Sequence, residues 1–580
     1  MAQGDITSAR VRVWNDRTNT QTYYSMAWDG GFDSDPTTYD WWFADIPVGA
    51  QPTILYYFFE LNDQGSGCTA DQDFYVDDDI KFYGGGTGAI SDNYDDTRSF
   101  QITVYDPAFN VPSWMQRGNV YQIFPDRFRD GNAANNPAAG RFFYNQAGGT
   151  IARSGQGNWN YTMCDPRGIQ APPYSCAGHY SDNFYGGDLK GITDKINQGY
   201  FDNLGVTVLY LNPIFRSPSN HKYDTADYMT IDPDFGTLAD FQSMAAAANS
   251  HGIKIVLDGV FNHVASDSKY FDRYSRYDAA GNLTSPSGVG ANDGSGACEA
   301  TGSAFRSWFY MPDIGKPGRD GDPNSGPLVI CAGGQTYEAW YGYSSLPKLQ
   351  ANSTQVRGLI FALGLSSVGP YWTQQGANGW RFDVGGDVDP GLTNENPAAP
   401  NNYWESYRAA VRNGAVTGKT DTLMLGEEWG DSSAWLLGNE WDSVMNYRYR
   451  SAVMNWLTTG CVAGSGCSGG VFEDNDSNSA SSSGLSKTTS GANIVLSWNP
   501  VVTDTGAGRA LATSYEIYRS TSASFTPSAA NLIATVGVPN FGGSSTGKIT
   551  YTDLNAAGGG YFYKIRAINA GGKFSTTSGF

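Results

Sequence analysis

The sequence predicts a multidomain protein in which a (β/α)8-type barrel lies between two β-sandwich domains. Three observations support this fold class. Residues 1–108 contain short runs of alternating apolar and polar residues, residues 109–460 alternate apolar runs with helical segments, and residues 486–580 return to short alternating runs. A stretch rich in Gly and Ser, residues 461–485, has the composition of a flexible linker and separates the last two parts.

The N-terminal β-sandwich is predicted for residues 1–108. Runs such as ARVRVW, TILYYFFEL and SFQITVYD have strand patterning, and Gly, Asp, Asn and Pro separate them in the manner of turns. Tyr39, Trp41 and Trp42 carry flat aromatic rings that can stack on sugars, and the alternative is that these rings belong to the core of the domain. The domain is therefore a candidate for carbohydrate binding.

The central part, residues 109–460, has the pattern of a parallel α/β sheet. The clearest helix is predicted to begin at Thr237, with Asp240 completing a capping box. Residues 264–354 are too long and too rich in Gly, Ser and Asp for a simple loop, so we expect an inserted subdomain there. The six candidate strands are 120–124, 206–215, 253–261, 379–384, 422–429 and 442–447.

Polar residues stand at the C-terminal ends of several of these strands, where a (β/α)8 barrel assembles its active site. In the run GWRFDV, strand alternation places Arg381 and Asp383 on one face, and a guanidinium there is expected to lower the pKa of the carboxyl. The alternative for this pair is a surface salt bridge on an edge strand. The other strand-end residues are Asn212, Asp258, Asn262, His263 and Glu427.

Composition excludes some classes of partner. The chain has 580 residues and a formal net charge of -20, which disfavours binding to nucleic acid and to anionic membrane surfaces. No run of about 18 apolar residues is present, so no segment is predicted to cross a bilayer. Aromatic residues make up 14% of the chain, as expected for sugar-binding surfaces or for a large β-rich core.

Seven cysteines indicate an oxidising compartment. Three local pairs are predicted to form disulfides, and Cys68 is left alone. The pairs are Cys164 with Cys176, Cys298 with Cys331, and Cys461 with Cys467. We expect an extracellular protein whose signal peptide is absent from this sequence, because MAQGDITSAR has no apolar signal core.

The C-terminal domain, residues 486–580, is predicted to be a second small β-sandwich. Trp498 lies on an early strand, and Tyr561, Tyr563, Ile565 and Ala567 alternate on a late one. This arrangement resembles a fibronectin type III domain, a fold that carries no chemistry by itself.

Five motifs in the first three quarters of the chain resemble one enzyme family. They are YQIFPDRF, HKYDTADY, DGVFNHV, GWRFDVGGDV and LGEEW, in this order. Together they resemble the α-amylase family of glycoside hydrolases, in its neopullulanase, cyclomaltodextrinase and amylopullulanase branch, from about Thr7 to Leu457. The resemblance implies hydrolysis of α-1,4 bonds in starch, pullulan or dextrins, with α-1,6 bonds as a second candidate linkage.

Glycoside hydrolysis with retention needs two carboxyl groups roughly 5–5.5 Å apart, one ionised and one protonated. Asp383, beside Arg381, is the candidate for the ionised group, and Glu427, near Trp429, is the candidate whose pKa can rise. Glu428 should point away from Glu427, because consecutive strand residues face opposite sides. The resemblance assigns the same roles, with Asp383 as nucleophile and Glu427 as general acid and base.

The resemblance also implies substrate contacts. His263 would bind a sugar hydroxyl, and the alternative is a core histidine. Tyr223 would stack beneath the same sugar, while Asp258 would hold Arg381. Two departures from the branch, Gln350 at the end of SSLPKLQ and the run DVGGDV, leave the preferred linkage open.

A calcium site is predicted between two loops. Oxygen ligands are available from carboxylates, amides and one backbone carbonyl, as a hard cation requires. The spacing is similar to that of the calcium loop in neopullulanase-type enzymes, and the alternative is a polar turn rich in Asn and Asp. The candidate ligands are Asp130, Asn132, Asn135, Asn136 and Asp188 with the carbonyl of Gly186.

One expected family feature is missing from the sequence. The family carries a third carboxylate, an Asp preceded by His, yet the four histidines at 179, 221, 251 and 263 are not followed by Asp. Only six of eight barrel strands are predicted. We therefore expect that an internal segment of the natural protein is absent here. If the sequence is complete, the alternative function is a glucan-binding protein that hydrolyses its ligand poorly or not at all.

Overall fold

The computed structural model contains β-rich parts on both sides of a central parallel sheet. The described part of the chain has no helix with the length and apolar character needed to cross a membrane. The structure describes residues 6–28, 41–63, 73–77, 88–91, 93, 98–137, 142–144, 152–153, 159, 183–311, 328–388, 403–447, 449–450, 453–454, 483–490, 492–499, 512–522, 525–537, 549–554, 556, 558–569 and 578–579.

The N-terminal part forms a six-stranded antiparallel sheet with an additional two-stranded ribbon. The strands run in the order β2-β1-β5-β6-β7, with β8 also paired to β5, and β3 pairs with β4 in the ribbon. Val11, Val13 and Leu55 form a buried cluster on the sheet. The strands are β1 (Ile6–Asn15), β2 (Thr20–Ser25), β3 (Ala27–Trp28), β4 (Trp42–Phe43), β5 (Thr53–Asp63), β6 (Asp73–Asp77), β7 (Gly88–Ser91) and β8 (Phe100–Val104).

The aromatic residues proposed for this domain have different surroundings. Trp41 is 44% exposed, whereas Trp42 is partly buried and lies opposite Trp28 in the ribbon. Tyr39 lies outside the described residues. Glycan binding by this surface stays a prediction.

The central sheet has six parallel strands in sequential order, which confirms all six predicted strands. Each strand pairs with the next along the chain, from β9 to β20. The second strand is shorter than its apolar run because the segment Asn212-Pro213 follows it, and proline lacks the N–H that a ladder needs. The strands are β9 (Val120–Ile123), β12 (Val208–Leu211), β15 (Lys254–Gly259), β18 (Gly379–Phe382), β19 (Leu423–Gly426) and β20 (Ser443–Val444).

Helices cover the outer face of this sheet. The predicted capping box is confirmed, with Thr237 and Asp240 bonded reciprocally at the start of α4. The buried rings of Trp372 and Trp404 belong to the core between helices and sheet. The helices are α1 (Ser113–Gln116), α2 (Leu189–Asn197), α3 (Tyr200–Asn203), α4 (Leu238–Ser250), α5 (Thr354–Arg357), α6 (Val368–Gln375), α7 (Gly385–Val388), α8 (Tyr403–Val411) and α9 (Gly414–Thr417).

The segment after β15 is built mainly of loops. The predicted disulfide between Cys298 and Cys331 is present, with a Cα–Cα distance of 5.6 Å. The other two predicted pairs and Cys68 lie outside the described residues. Short ribbons in the central part are β10 (Ala152–Arg153) with β11 (Asn183–Phe184), β13 (Phe215–Arg216) with β14 (Asp227–Ile231), and β16 (Val329–Ile330) with β17 (Thr336–Tyr337).

The C-terminal part consists of two antiparallel sheets that share a core. Trp498 from one sheet packs with Tyr515, Ile517 and Tyr563 from the other. Its membership of the fibronectin type III class stays a prediction. The sheets are β21 (Ser483–Ser490), β22 (Asn493–Asn499) and β25 (Ile549–Asp553), and β23 (Ala512–Ser520), β24 (Leu532–Gly537), β26 (Phe562–Asn569) and β27 (Ser578–Gly579).

Candidate active site

Sheet register brings the predicted catalytic residues together. Asp258 of β15 lies directly opposite Arg381 of β18, and Phe382 lies opposite Gly426 of β19. Asp383 directly follows Phe382, and Glu427 directly follows Gly426. The two carboxyl groups therefore lie side by side at the C-terminal edge of the sheet.

Arg381 is the centre of a buried cluster of carboxyl groups, which we call the Arg381 cluster: Arg381, Asp258, Asp383 and Glu427. Its Nη1 donates to Asp258 Oδ1 at 2.8 Å and to Asp383 Oδ1 at 2.9 Å. Its Nη2 lies 2.6 Å from Glu427 Oε2. The side chain of Arg381 is only 4% exposed, so the alternative interpretation of this pair as a surface salt bridge is wrong.

The expected lowering of the pKa of Asp383 is wrong. Burial raises the pKa of Asp383 to about 8, although the guanidinium of Arg381 acts in the opposite direction. Asp258 and Glu427 add repulsion, because three carboxyl groups share one cation. The Arg381 cluster without substrate therefore retains a proton at neutral pH.

Glu427 is held by a turn with unusual backbone geometry. Val384 has a φ of +41°, a conformation that β-branched residues rarely adopt, and its N–H donates to Glu427 Oε2 at 2.9 Å. The hydroxyl of Tyr447 lies 2.6 Å from the other oxygen, Oε1. Glu428 accepts from the amides of Trp429 and Gly430 instead, as expected for a neighbour that points elsewhere.

Tyr223 and His263 line the same cavity as Asp383 and Glu427. Tyr223 donates to Asp258 Oδ2 at 3.1 Å, and its ring centroid lies 5.8 Å from the Arg381 guanidinium carbon. His263 is buried, and its ring stacks on Trp340 at 5.8 Å between centroids. Burial lowers the pKa of His263 to about 3, so the imidazole is neutral and offers one N–H and one acceptor.

Two cavities meet at Glu427. The larger has a volume of about 910 Å³ and is also lined by Tyr223, His263 and Asp383, while the smaller has about 500 Å³. Glu427 lines both cavities. Gln122 of β9 and Met445 after β20 line the larger cavity together, so the sheet curls around it. Further aromatic residues of the cavities are Tyr210, Trp340, Tyr341, Tyr343, Trp429 and Tyr447.

Sequence reasoning did not identify Tyr210, Trp340 or Tyr447 as site residues. Tyr210 donates to Asp258 and thereby supports the carboxyl that holds Arg381. Tyr447 ends the predicted strand DSVMNY, and a polar residue at a strand end was an available signal. Trp340 lies in the inserted segment, where no periodic pattern predicted its position.

The predicted calcium ligands lie close to one another. Asp188 caps α2 and accepts from the amides of Gly131 and Asn132. Asn136 donates to Asp130 at 2.8 Å. A Cβ on Gly186, where φ is +81°, would lie 2.2 Å from Asn136 Oδ1.

Two observations fit an oxygen-ligated cation at this place. The side-chain oxygens of Asn135 and Asn136 are buried and have no hydrogen-bond partner within the described part of the chain. Burial raises the pKa of Asp188, and Asp130 adds repulsion that a cation would relieve. Within the same residues no group of three or more His, Cys, Asp or Glu side chains has an arrangement that could hold a metal ion, so amide and carbonyl oxygens would complete the ligand set.

Comparisons with known proteins agree with the motifs. A family model described as the catalytic domain of alpha-amylase matches residues 122–463. An amylopullulanase of Thermoanaerobacterium saccharolyticum is 35% identical over 473 residues, which are 78% of this chain and 31% of that protein. Neopullulanase 2 of Thermoactinomyces vulgaris is 32% identical over 355 residues, which are 61% of this chain and 46% of that protein.

The type III pullulan hydrolase of Thermococcus kodakarensis is 24% identical, with a TM-score of 0.43, and the match covers 79% of this chain and 62% of that one. The chain spans less than half the length of each of the two named sequence relatives.

Proposed function

The chain belongs to the α-amylase family of glycoside hydrolases, and from this premise we propose that it hydrolyses α-glucans such as starch, pullulan and dextrins. The observation that carries the proposal is the position of Asp383 and Glu427. Both contact Arg381, and Glu427 lies where the two cavities meet. A glucan chain that occupies both cavities would present a glycosidic oxygen to Glu427.

The proposed reaction retains the anomeric configuration. When the proton of the cluster resides on Glu427, Asp383 attacks the anomeric carbon as a carboxylate, Glu427 gives that proton to the leaving oxygen, and the C–O bond between the two sugars breaks with its electron pair on that oxygen. A water molecule, deprotonated by Glu427, then releases the sugar from Asp383. His263 and Tyr223 contribute sugar contacts on the larger-cavity side.

Reducing-sugar release from pullulan and starch tests the proposal. The wild type should release reducing ends, and Asp383→Asn and Glu427→Gln should lose almost all of this activity. NMR of the first product should show the α-anomer before mutarotation. A wild type that binds pullulan without releasing sugar would instead establish the alternative of a glucan-binding protein, and a β-anomer would refute retention.

The linkage that is cut can be assigned from product size. We propose cleavage of α-1,4 bonds, with α-1,6 bonds as a second linkage, in line with relatives that are named amylopullulanase. Panose from pullulan indicates α-1,4 cleavage, and maltotriose indicates α-1,6 cleavage. Release of panose alone would remove the second linkage from the proposal.

We also propose a calcium ion and an extracellular location. Calcium would be held by Asp130, Asn132, Asn135, Asn136 and Asp188 with the carbonyl of Gly186, and would join two loops without taking part in the reaction. The location is supported by the disulfide between Cys298 and Cys331. Detection of the mature protein in cell extract only, and not in culture medium, would refute secretion.

A further inference from the structure

The two oxygens of Glu427 have different kinds of partner. Oε2 accepts from Arg381 and from the amide of Val384, and both of these groups can only donate. Oε1 contacts the hydroxyl of Tyr447, which can donate or accept. A proton on Oε2 would point at the hydrogens of two donors. The proton of the acid form therefore belongs on Oε1.

The ring of Tyr447 is held in place by a second aromatic ring. It stacks on Trp429 with 4.3 Å between ring centroids and an interplanar angle of 5°. Trp429 is 66% exposed and lines the smaller cavity, whereas Tyr447 lines the larger one. Burial raises the pKa of Tyr447, so its hydroxyl keeps its proton throughout the neutral range. The stack thus holds a neutral hydroxyl against the carboxyl group.

We propose that Tyr447 is a positioning residue that keeps Oε1 of Glu427 as the oxygen that carries and delivers the catalytic proton. This inference rests on the proposed function, since it requires Glu427 to be the acid. In the protonated state Oε1 donates to the Tyr447 hydroxyl. When the glycosidic oxygen approaches, the proton passes to that oxygen, the C–O bond breaks with its electron pair on the leaving oxygen, and the hydroxyl rotates to donate to the new carboxylate.

The test compares substrates whose leaving groups differ in their need for protonation. Tyr447→Phe keeps the ring and its stack on Trp429 but removes the hydroxyl. For maltooligosaccharides, whose leaving sugar must be protonated, kcat/KM should fall by about 10- to 100-fold, mainly in kcat. For an aryl α-maltooside whose phenol leaves as its anion, kcat/KM should fall by less than about threefold.

Two controls separate this inference from the proposed function. Tyr449→Phe removes a hydroxyl from a tyrosine that is 62% exposed, and should leave both substrates unchanged. Glu427→Gln should show the same substrate dependence as Tyr447→Phe, only larger. If Glu427→Gln lacks that dependence, the acid assignment in the proposed function is wrong.

Two results would overturn the inference itself. One is a Tyr447→Phe variant that loses activity equally on both substrates, which indicates a structural role. The other is a variant with unchanged activity on maltooligosaccharides while Glu427→Gln keeps its substrate dependence. Thermal unfolding of Tyr447→Phe within a few degrees of wild type verifies that the comparison uses folded protein.

Discussion

Two buried cations in the central part of the chain have acidic neighbours but different surroundings. Lys222 is 0% exposed, and its Nζ lies 2.8 Å from Asp232 and 3.1 Å from Asp234. Asp232 also accepts from backbone amides, so this group, the Lys222 cluster of Lys222, Asp232 and Asp234, is closed on all sides by protein. The Arg381 cluster has one cation for three carboxyl groups and opens on the larger cavity.

The difference shows what converts a buried ion pair into a reactive site. Lys222 directly precedes Tyr223, so its cluster fixes the loop that brings this tyrosine to the cavity. The Arg381 cluster instead contains an excess of carboxyl groups, and the excess appears as the raised pKa of Asp383. We infer that the Lys222 cluster stabilises the fold, whereas the Arg381 cluster is arranged for catalysis and destabilises the fold.

The largest expected effect concerns the Arg381 cluster. Asp383→Asn should lower kcat on α-glucans by about 10⁴-fold or more, because the nucleophile is lost. The folded state should nevertheless be at least as stable as wild type, because the amide of Asn is neutral at every pH and adds no repulsion to Asp258 and Glu427. Steady-state kinetics and urea unfolding measure the two effects.

A matched variant controls for the change from Asp to Asn. Asp421 is exposed and precedes β19, at the strand end far from Glu427. Asp421→Asn should therefore change neither kcat nor the free energy of unfolding. A strongly destabilised Asp383→Asn would contradict the distinction between the two clusters.

The pH dependence of stability sharpens the same comparison. An aspartate in an unfolded chain titrates near pH 3.9, whereas burial raises the pKa of Asp383 to about 8 in the folded state. Between these values the folded state keeps a proton that the unfolded state has released, so stability falls as pH rises. Asp383→Asn lacks this decline. Its advantage in free energy of unfolding over wild type should therefore grow from pH 5 to pH 8, and a constant difference would refute the raised pKa.

Removal of the other cation should affect stability rather than chemistry. Lys222→Met removes the cation from two buried carboxylates, and loss of one partner of a buried pair costs about 3–5 kcal/mol of unfolding free energy. The kcat of the folded fraction should change by less than about threefold, since Tyr223 remains. Urea unfolding combined with active-site titration measures both.

An exposed ion pair provides the control for Lys222→Met. Lys190 is paired with Asp194 one turn along α2 at the surface, and Lys190→Met should cost only about 0.5 kcal/mol or less. Equal destabilisation by the two lysine variants would show that burial is not what distinguishes them.

Sequence alone predicted the six parallel strands and the helix α4 of the central part because their signals are local. Apolar runs marked all six parallel strands, and the side chains of Thr237 and Asp240 marked the start of α4. Strand alternation correctly placed Arg381 and Asp383 on one face. Each of these features depends on residues within one turn or one strand.

The properties that sequence did not predict depend on tertiary contacts. The pKa of Asp383 is set by burial and by Asp258 and Glu427, which are distant in sequence, so the neighbouring Arg381 gave the wrong direction. The contact between Tyr447 and Glu427 spans 20 residues and depends on two neighbouring strands. Local patterns contain no information on such convergence.

Besides the Lys222 cluster and the Arg381 cluster, the predicted calcium loop is a third place where carboxylates lie close together. There the cation that offsets their charge would be a bound metal ion instead of a side chain. Asp130 is close enough to Asp188 to raise its pKa. The buried side-chain oxygens of Asn135 and Asn136 have no hydrogen-bond partner within the described residues. Calcium at 100 times its Kd would stabilise the fold by about 2.7 kcal/mol. Removal of calcium with a chelator should therefore lower the melting temperature by a few degrees.

The change in melting temperature on removal of calcium is the smallest expected effect, and two asparagine variants test its origin. Asn136→Leu removes one ligand oxygen, so the melting temperature of this variant should respond less to chelator than that of wild type. Asn413→Leu replaces an asparagine that caps α9, and its loss of stability should be the same with and without calcium. A melting temperature of wild type that does not change with chelator would show that Asp130 and Asp188 belong to a polar turn that holds no cation.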